Sequence, residues 1–282
     1  MKKPFAFVAI LAAGPAASEQ IVSEALDALA PADVVILGEI HDNPVHHAHQ
    51  ARAVSALAPK ALVFEMLSRE QAARITPELR QNEEALAQAL DWDSSGWPDF
   101  SMYYPVFAAS GTAPVYGAAL PREAVRAAFS EGAAQVFGDE AVRYGLNSAL
   151  PEEMQATRET LQFEAHCSAM PREMMAGMVE AQRLRDAGFS RTVIEALEAT
   201  GGPVAVITGN GHARNDWGMP ATLSLVAPEL RILSIGQLET IPEETPPYDL
   251  WLVTAPVERD DPCAGFAMPS ENNSEDNSED KG

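Results

Sequence analysis

Residues 34–50 read VVILGEIHDNPVHHAHQ and contain the clearest fold signal in the chain. The apolar run at residues 34–37 has the length and β-branched content of a buried strand, and Gly38 ends it. A helix is predicted to begin in the segment NPVHHAHQ, directly after a short polar turn. Four of the six histidines of the chain lie in this stretch. The stretch therefore predicts a strand, a turn and a helix, with a dense group of imidazoles around the turn.

Further apolar runs resemble the first one. They are ALVFEM (61–66), APVYGA (113–118), PVAVITG (203–209), RILSIGQ (231–237) and LWLVTAP (250–256). The stretches between them have helical spacing, as in ARAVSALAP and REAVRAAFSEG. This alternation predicts an α/β fold with a mostly parallel sheet flanked by helices. Residues 120–200 are almost free of strand signals, and we expect them to form a helical insertion between the third and fourth strands.

The two ends of the chain differ in composition from the middle. Residues 1–18 combine a basic start, a short apolar run and small residues, as a secretory signal peptide does. Residues 270–282 repeat Asn-Ser-Glu-Asp and are expected to form a disordered acidic tail. We expect one α/β domain over residues 19–269 in an exported, periplasmic protein, and an association with the outer membrane stays open.

Charge and cysteine content restrict the partners and the compartment. The formal net charge is −22, which repels nucleic acid and anionic membranes. No later stretch is long and apolar enough for stable membrane insertion. Cys167 and Cys263 could pair in an oxidising periplasm, or they could remain two buried thiols, and the sequence leaves both alternatives open.

Polar residues follow three of the predicted strands. Glu39 and His41 follow the first strand, Glu65 ends the second, and His212 follows the fourth. Open α/β sheets bind ligands beyond the carboxyl ends of their strands. We therefore expect these four residues to meet at one edge of the sheet.

His41 and His212 each lie three residues after a glycine, Gly38 and Gly209 respectively. We expect a positive φ at both glycines, which would turn each histidine back over its strand end. A divalent metal could then bind His41, Glu65 and His212. Alternatively, the four strand-end residues could perform metal-free acid–base hydrolysis, or the histidines could hold a cofactor. For a single histidine, a hydrogen-bonded core or capping role is the more common one.

Three other histidines, His46, His47 and His49, lie at the start of the predicted helix, where some are expected to face solvent or a partner. The aromatic segment WDSSGWPDFSMYYPVF (92–107) could line a flat apolar pocket, with Tyr103 or Tyr104 supplying a phenolate oxygen. Composition alone favours another role for this segment, as a hydrophobic cluster that covers the sheet edge.

Residues 164–190 form a third cluster, in which the methionine stripe is more typical of a core than of a cofactor surface. His166 precedes the predicted helix and could reach into the cleft. Arg183 or Arg185 could pair with an anionic ligand, or simply with Asp186.

Several segments together resemble the ChaN family of iron-regulated haem-binding proteins, which is grouped with the Tiki proteases and erythromycin esterases. They are LGEIHDNPVHHAHQ, VFEM, WPDFSMYYPVF, HCSAMPREMMAGMVEAQRLRDA and TGNGHARNDWGMP, and the likeness runs from about Val34 to Pro220. The resemblance implies non-covalent haem binding in bacterial iron uptake. It also implies a ligand-induced homodimer that holds two haems face to face, with a tyrosine on each iron.

Tyr103 best matches the tyrosine that ligates haem iron in this family, with Tyr104 as the substitute. The other residues expected around the haem are His41, His46, His47, His166, Arg183 and His212, and Arg52 and Arg214 are further candidates for the propionates. The wider grouping instead implies hydrolysis by Glu39, His41, Glu65 and His212. The chain lacks the N-terminal cysteine of the family's lipoproteins, which favours a free periplasmic carrier or store. Haem binding without turnover is the leading interpretation, a hydrolase is the alternative, and a purely structural role for the histidines is the third.

Overall fold

Parallel strands form a single sheet in the computed structural model, which describes residues 18–261 and 263–264. The strands are β1 (Glu19–Gln20), β2 (Val34–Glu39), β3 (Ala61–Phe64), β4 (Val115–Gly117), β5 (Val204–Gly209), β6 (Ile232–Leu238) and β7 (Leu250–Val253). Their order across the sheet is β1-β7-β6-β2-β5-β3-β4. The chain moves outward from β2 to β4, returns to β5 beside β2, and then continues on the other side of β2. The α/β prediction is confirmed, and β2 and β5 lie where the chain changes direction, which is where such sheets bind ligands.

The predicted strands correspond to β2 through β7. Only β1 was not predicted, because it has two exposed residues and no apolar run. It pairs with β7 through the register Glu19 to Leu250. The predicted signal peptide, apart from Ser18, and the predicted acidic tail lie outside the described residues.

Helices cover both faces of the sheet. They are α1 (Pro44–Leu57), α2 (Arg69–Ala73), α3 (Glu83–Ala89), α4 (Phe100–Ala109), α5 (Arg122–Glu131), α6 (Ala133–Phe137), α7 (Glu152–Ala165), α8 (Met175–Thr200), α9 (Asn210–Ala213) and α10 (Met219–Val226). The helix predicted after β2 is α1. Asn43 caps it by accepting a 3.0 Å hydrogen bond from Val45 N, and Pro44 occupies its first position. None of the helices in the described ranges has the length and apolar character needed to cross a membrane.

Two apolar cores lie on opposite faces of the sheet because successive strand residues point to opposite sides. Val35 and Leu37 of β2 pack on the face covered by α1 and α4. Val34 and Ile36 pack on the other face, against α8 and α10. Because both faces of the sheet are buried, the strand sequences are continuous apolar runs rather than alternating apolar and polar residues.

The region between β4 and β5 is helical, as predicted, and contains α5 to α8. It has a small core of its own, in which Ala128, Tyr144 and Leu184 are buried. The long helix α8 runs from this core onto the sheet, where Phe189 and Val193 are buried. One long helix therefore joins the insertion to the carboxyl edge of the sheet.

A disulfide bond joins Cys167, just after α7, to Cys263 near the end of the described chain. The question left open by the sequence is thereby resolved in favour of pairing. Before Cys263, Arg259 pairs with Asp42 and Glu239 at the carboxyl edge of the sheet. The C-terminal segment thus crosses from β7 to the helical insertion beside the turn that follows β2.

Candidate functional site

The polar ends of β2, β5 and β3 meet at the carboxyl edge of the sheet. β5 lies between the other two strands, and Glu39 is in register with Gly209. Glu65, directly after β3, accepts hydrogen bonds from Thr208 Oγ1 at 2.7 Å and from Gly209 N at 2.8 Å. His212 in α9 places Nε2 3.6 Å from Glu65 Oε1. The structure therefore brings together the strand-end residues that the sequence singled out.

The role of the two strand-end glycines differs from the predicted one. Neither Gly38 nor Gly209 has a positive φ, and φ is −64° at Gly209. Glycine is needed there for space. A Cβ on Gly38 would lie 2.5 Å from Asn210 Oδ1, and a Cβ on Gly209 would lie 2.8 Å from His41 Nε2. The prediction of a left-handed turn was wrong because close side-chain approach, not backbone bending, excludes larger residues.

Glu39 is a buried carboxylate with several donors around it. His41 Nδ1 lies 2.7 Å and Tyr103 Oη 3.0 Å from Oε1, while Gln50 Nε2 donates to Oε2 at 2.7 Å. Burial alone would lower the pKa of His41, but the carboxylates of Glu39 and Glu65 outweigh burial and raise it. With its Nδ1 proton directed at Glu39, His41 keeps Nε2 free of hydrogen bonds to the residues that the structure describes. Its side chain is 34% exposed.

His46 and His47 are structural residues. Both are fully buried, so the expectation that they face solvent or a partner was wrong for these two. His46 Nδ1 accepts from Ile40 N at 2.9 Å, its Nε2 lies 2.8 Å from Thr254 Oγ1, and burial lowers its pKa to about 4. His47 Nε2 donates to His41 O at 2.8 Å. These contacts fix the turn that holds His41.

The Nδ1 atom of His47 is 3.3 Å from Glu39 Oε2, yet it has no hydrogen-bond partner within the described part of the chain. We take the contact as a close approach without hydrogen-bond geometry. His49 is half-buried, with Nδ1 2.9 Å from Gln237 Oε1. Neither histidine points into the space above the strand ends.

His212 is held between two buried carboxylates. Its Nδ1 lies 2.6 Å from Asp186 Oδ1, and its Nε2 faces Glu65. Burial would lower the pKa of His212, but the charges of Glu65 and Asp186 raise it. Burial raises the pKa of Asp186, whereas the nearby His212 and His41 hold the pKa of Glu65 below its usual range despite burial. A carboxylate that orients one nitrogen of an imidazole leaves the other nitrogen available as a base.

A cavity of about 350 Å³ opens over Glu65 and His212, and we call it the sheet-edge cavity. Its apolar lining consists of Trp97, Ala119, Leu120, Val125 and Phe189. The ring of His41 packs against Trp97, one wall of the cavity, at 4.8 Å between centroids, although His41 is not itself a lining residue. Arg122 and Arg185 also line it, and neither forms an ion pair with a carboxylate of the described residues. The cavity thus combines apolar walls, two available cations and the imidazole of His212.

Comparison with known proteins assigns the chain to a family. The family model described as haem-binding uptake, Tiki superfamily, ChaN matches residues 25–223. The chain belongs to the ChaN family. The resemblance inferred from the sequence motifs is confirmed by this match.

A solved ChaN structure shares the fold of this ChaN-family protein. The structure of cofacial heme binding to ChaN of Campylobacter jejuni has a TM-score of 0.57 at 18% identity, covering 80% of this chain and 88% of that chain. The type III effector HopBA1 is less similar, with a TM-score of 0.43 at 11% identity over 79% of this chain and 88% of that one. No curated protein sequence matches the chain.

The predicted tyrosine ligands of the ChaN-family chain are engaged elsewhere. Tyr103 is fully buried in α4 and donates to Glu39 Oε1, and burial together with the Glu39 carboxylate raises its pKa, which opposes a phenolate. Tyr104 donates to Arg80 O at 3.1 Å. In this arrangement neither tyrosine lines the sheet-edge cavity. Most aromatic residues of the segment form core instead, with Trp92 and Phe107 buried, while Trp97 and Ser95 line the cavity.

The predicted divalent-metal site of the ChaN-family chain finds no support. In residues 18–261 and 263–264, no group of three or more His, Cys, Asp or Glu side chains is arranged to hold a metal ion. His41 and His212 are each directed by a separate carboxylate, Glu39 and Asp186. The alternative metal at His41, Glu65 and His212 is therefore not proposed further.

The cations and the histidine predicted for an anionic ligand are mostly paired within the protein. Arg183 binds Glu180 at 2.6 Å and several backbone carbonyls, so its role is structural. Arg52 pairs with Asp27, and Arg214 pairs with Asp216. His166 ends α7, with Nδ1 2.7 Å from Gln162 O.

Sequence reasoning missed Gln50, Asp186 and Arg122 as members of the site, whereas Arg185, considered there for an anionic ligand, lines the cavity. Gln50 lies about two turns into α1, where a polar residue at a buried helix position was the available signal. Asp186 was considered only as a local partner of Arg183 or Arg185, although the central position of an acid in the long helix α8 could have indicated a tertiary partner.

Proposed function

We propose that this protein binds haem in the sheet-edge cavity, as part of bacterial haem or iron uptake. The observation that supports it most directly is the apolar, cationic cavity at the strand ends of a chain that belongs to the ChaN family. Haem is a large apolar ring with two carboxylates and an iron atom that accepts nitrogen or oxygen ligands. Each of these features has a counterpart among the residues at the cavity.

The walls and charges of the cavity suit such a ligand. Trp97 and Phe189 offer aromatic surface for the porphyrin ring. Arg122 and Arg185 are free of ion pairs to described residues and would bind the propionates. The net charge of the chain is negative and repels anions in general. Two unpaired arginines at one opening are therefore specific evidence for an anionic ligand at that opening.

We assign iron ligation to His41 rather than to a tyrosine. Tyr103 would first have to leave its hydrogen bond to Glu39, and α4 would have to open, whereas His41 Nε2 needs no such change. Histidines that bind metals usually donate their other ring N–H to a carboxylate, as His41 does to Glu39. Haem bound there would supply an iron centre that the chain itself lacks.

Export and dimerisation complete the proposal. The disulfide between Cys167 and Cys263 is a feature of proteins in oxidising compartments, which supports export to the periplasm. The ChaN structure of Campylobacter jejuni is described as binding heme cofacially. For this chain, we propose that a second haem-loaded copy covers the open side of the cavity. Light scattering with and without hemin measures this dimerisation directly.

The test of haem binding is a hemin titration followed by the Soret absorbance. We expect saturable binding to the wild type, loss of the ligand-dependent spectrum in His41→Ala, and near-normal spectra in Tyr103→Phe and Tyr104→Phe. Loss of the spectrum in Tyr103→Phe alone would return the ligand role to tyrosine, and no saturable binding to the wild type would refute the proposed function.

The propionate contacts are tested with a matched pair on α5. Arg122 lines the cavity, while Arg126 on the same helix is exposed and does not. Arg122→Gln should weaken hemin binding about tenfold, or about 1.4 kcal/mol, and Arg126→Gln should leave it unchanged. Equal effects of the two variants would show that only general surface charge matters.

A metal-free hydrolase is the second candidate, and the chain of contacts from Asp186 through His212 to the cavity favours it. Asp186 holds the Nδ1 proton of His212, so Nε2 could remove a proton from water as it attacks an ester or amide carbonyl, and could return that proton to the leaving group. Release of p-nitrophenolate from p-nitrophenyl acetate tests it. A rate at least tenfold lower in Asp186→Asn supports the candidate, and equal rates in the two proteins reject it.

A further inference from the structure

Two arginines of the described chain are deeply buried, and their surroundings differ. Arg80 is 6% exposed, and its guanidinium donates to Ser110 Oγ, Gly111 O and Ala113 O. Arg158 is also 6% exposed, yet its guanidinium makes no hydrogen bond or ion pair with any residue in the described ranges. A largely buried guanidinium without protein partners is costly, so such a group is usually satisfied by water or by a bound anion.

The side chain of Arg158 lines two adjacent cavities. The larger one, which we call the Arg158 cavity, has a volume of about 270 Å³, and the smaller one has a volume of about 140 Å³. Gln162, Gln182, Arg214 and Trp217 also line the Arg158 cavity. This space is distinct from the sheet-edge cavity, although Gln182 lines both.

Hydrogen-bond donors predominate among the polar groups around the Arg158 cavity. Gln182 Oε1 accepts from Arg185, which leaves the Gln182 amide nitrogen as a donor. The guanidinium of Arg214 stacks 3.7 Å above the Trp217 ring, and that of Arg158 lies 5.8 Å from the same ring. Trp217 therefore holds two cationic groups near one another.

Acidic residues near Arg158 do not neutralise it. Asp186 lines the Arg158 cavity but lies beyond ion-pair distance, and its Oδ1 is bound to His212 Nδ1. Asp216 pairs with Arg214. Burial lowers the pKa of Arg158, the direction expected of a guanidinium with no close counter-ion.

We infer that the Arg158 cavity is a binding site for an oxyanion, either a carboxylate or a phosphate group. Both groups accept the forked hydrogen bonds that a guanidinium offers. Both would also supply the negative counter-charge that no described residue provides within ion-pair distance of Arg158. The aromatic surface of Trp217 adds an apolar wall for the rest of an organic anion. The Asp186–His212 hydrogen bond connects this site to the sheet-edge cavity, because Asp186 lines one and His212 lines the other.

Isothermal titration with inorganic phosphate and with succinate in a low-salt Good's buffer tests the site. The wild type should bind at least one of these anions saturably, and Arg158→Met should bind it at least tenfold more weakly. Arg52→Met is the control, because Arg52 pairs with Asp27 away from the cavity, and it should bind like the wild type. Absence of binding of both anions to the wild type, or equal binding by Arg158→Met, overturns the inference.

Thermal unfolding separates an anion site from a merely structural arginine. In buffer without these anions, Arg158→Met should unfold at the same temperature as the wild type or at a higher one, because it removes an uncompensated buried charge. Added phosphate should raise the unfolding temperature of the wild type and of Arg52→Met only. If Arg158→Met instead lowers the unfolding temperature equally with and without phosphate, Arg158 serves packing and the inference is wrong.

A hemin titration of the same proteins identifies the source of the oxyanion. If Arg158→Met binds hemin more weakly and phosphate competes with hemin for the wild type, the oxyanion is a haem propionate. This assignment rests on the proposed function. Unchanged hemin binding together with lost phosphate binding would assign it to a separate small anion. Both results support the oxyanion site, and the phosphate titration stands even if the wild type binds no hemin.

Discussion

Glu39 stabilises the strand end because its charge is shared among several donors. His41, Gln50 and Tyr103 all lie within hydrogen-bond distance of its two oxygens. Burying a carboxylate is costly unless such donors replace water. Since three elements supply these donors, the position of His41 is fixed before any ligand arrives.

The amide variant Glu39→Gln should destabilise the protein by about 2–4 kcal/mol, because an uncharged amide accepts fewer of these hydrogen bonds and leaves buried donors unsatisfied. Urea unfolding measures the change. Glu198→Gln at an exposed position of α8 is the matched control and should change the free energy of unfolding by less than about 0.5 kcal/mol. A change of less than about 0.5 kcal/mol in Glu39→Gln would show that the hydrogen bonds to Glu39 contribute little to stability.

His46 should make stability depend on pH on the acid side. Its pKa in the folded protein is about 4, below the ordinary value of 6.5, so folding favours the neutral ring. This contribution is fully present above pH 6.5 and is lost as the pH falls from 6.5 to about 4, for a total of about 3 kcal/mol at most. An NMR titration of the His46 ring protons should give a midpoint near 4. A midpoint of 6.5 or above would contradict the assignment.

At the scale of single residues, sequence reasoning found which groups would gather but not which groups orient them. Glu39, His41, Glu65 and His212 follow strands, so the geometry of a parallel sheet brings them together. Asp186 and Gln50 come from helices, and their directions depend on helix packing that no local pattern encodes. The direction of Tyr103 also depends on helix packing, and the composition of its segment was equally compatible with a hydrophobic cluster.

At the scale of elements, the turn from β5 into α9 depends on one glycine and tolerates change at another. A Cβ on Gly209 would approach His41 Nε2 to 2.8 Å, whereas a Cβ on Gly211 would meet nothing within 4 Å. Both glycines belong to the same short segment, so the two substitutions differ chiefly in what the new methyl group contacts.

We therefore expect Gly209→Ala to displace His41 and weaken hemin binding at least tenfold, with the fold retained because φ at this position suits alanine. Gly211→Ala should bind hemin like the wild type and be equally or slightly more stable. Circular dichroism and the hemin titration measure the two effects. Equal hemin affinity in both variants would show that crowding of His41 is unimportant.

Most elements were predictable because burial on both faces produces continuous apolar runs, as in VVILGE and VAVITG. β1 was not predictable, since its pairing with β7 is set by the path of the chain rather than by its own residues. The helical insertion was predictable as helical, but its internal packing was not, because small residues such as Ala128 and Ala133 give little periodic signal.

At the scale of the whole molecule, the Cys167–Cys263 disulfide ties the C-terminal segment to the helical insertion across 96 residues of sequence. By the chain-entropy model, removing it in the double variant Cys167→Ser/Cys263→Ser should cost about 4–5 kcal/mol of unfolding free energy. Urea unfolding of the variant and of the reduced wild type should agree. Unchanged stability in both would show that the segment is held without the bond.

The strand order also governs what happens while the chain is being made. β2 lies in the interior of the sheet, and neither of its neighbours, β5 and β6, begins before residue 204. A ribosome therefore releases an apolar strand with two open edges long before its partners exist. During that interval the open strand edges expose the nascent chain to aggregation, and we expect strong overexpression to direct much of it into inclusion bodies.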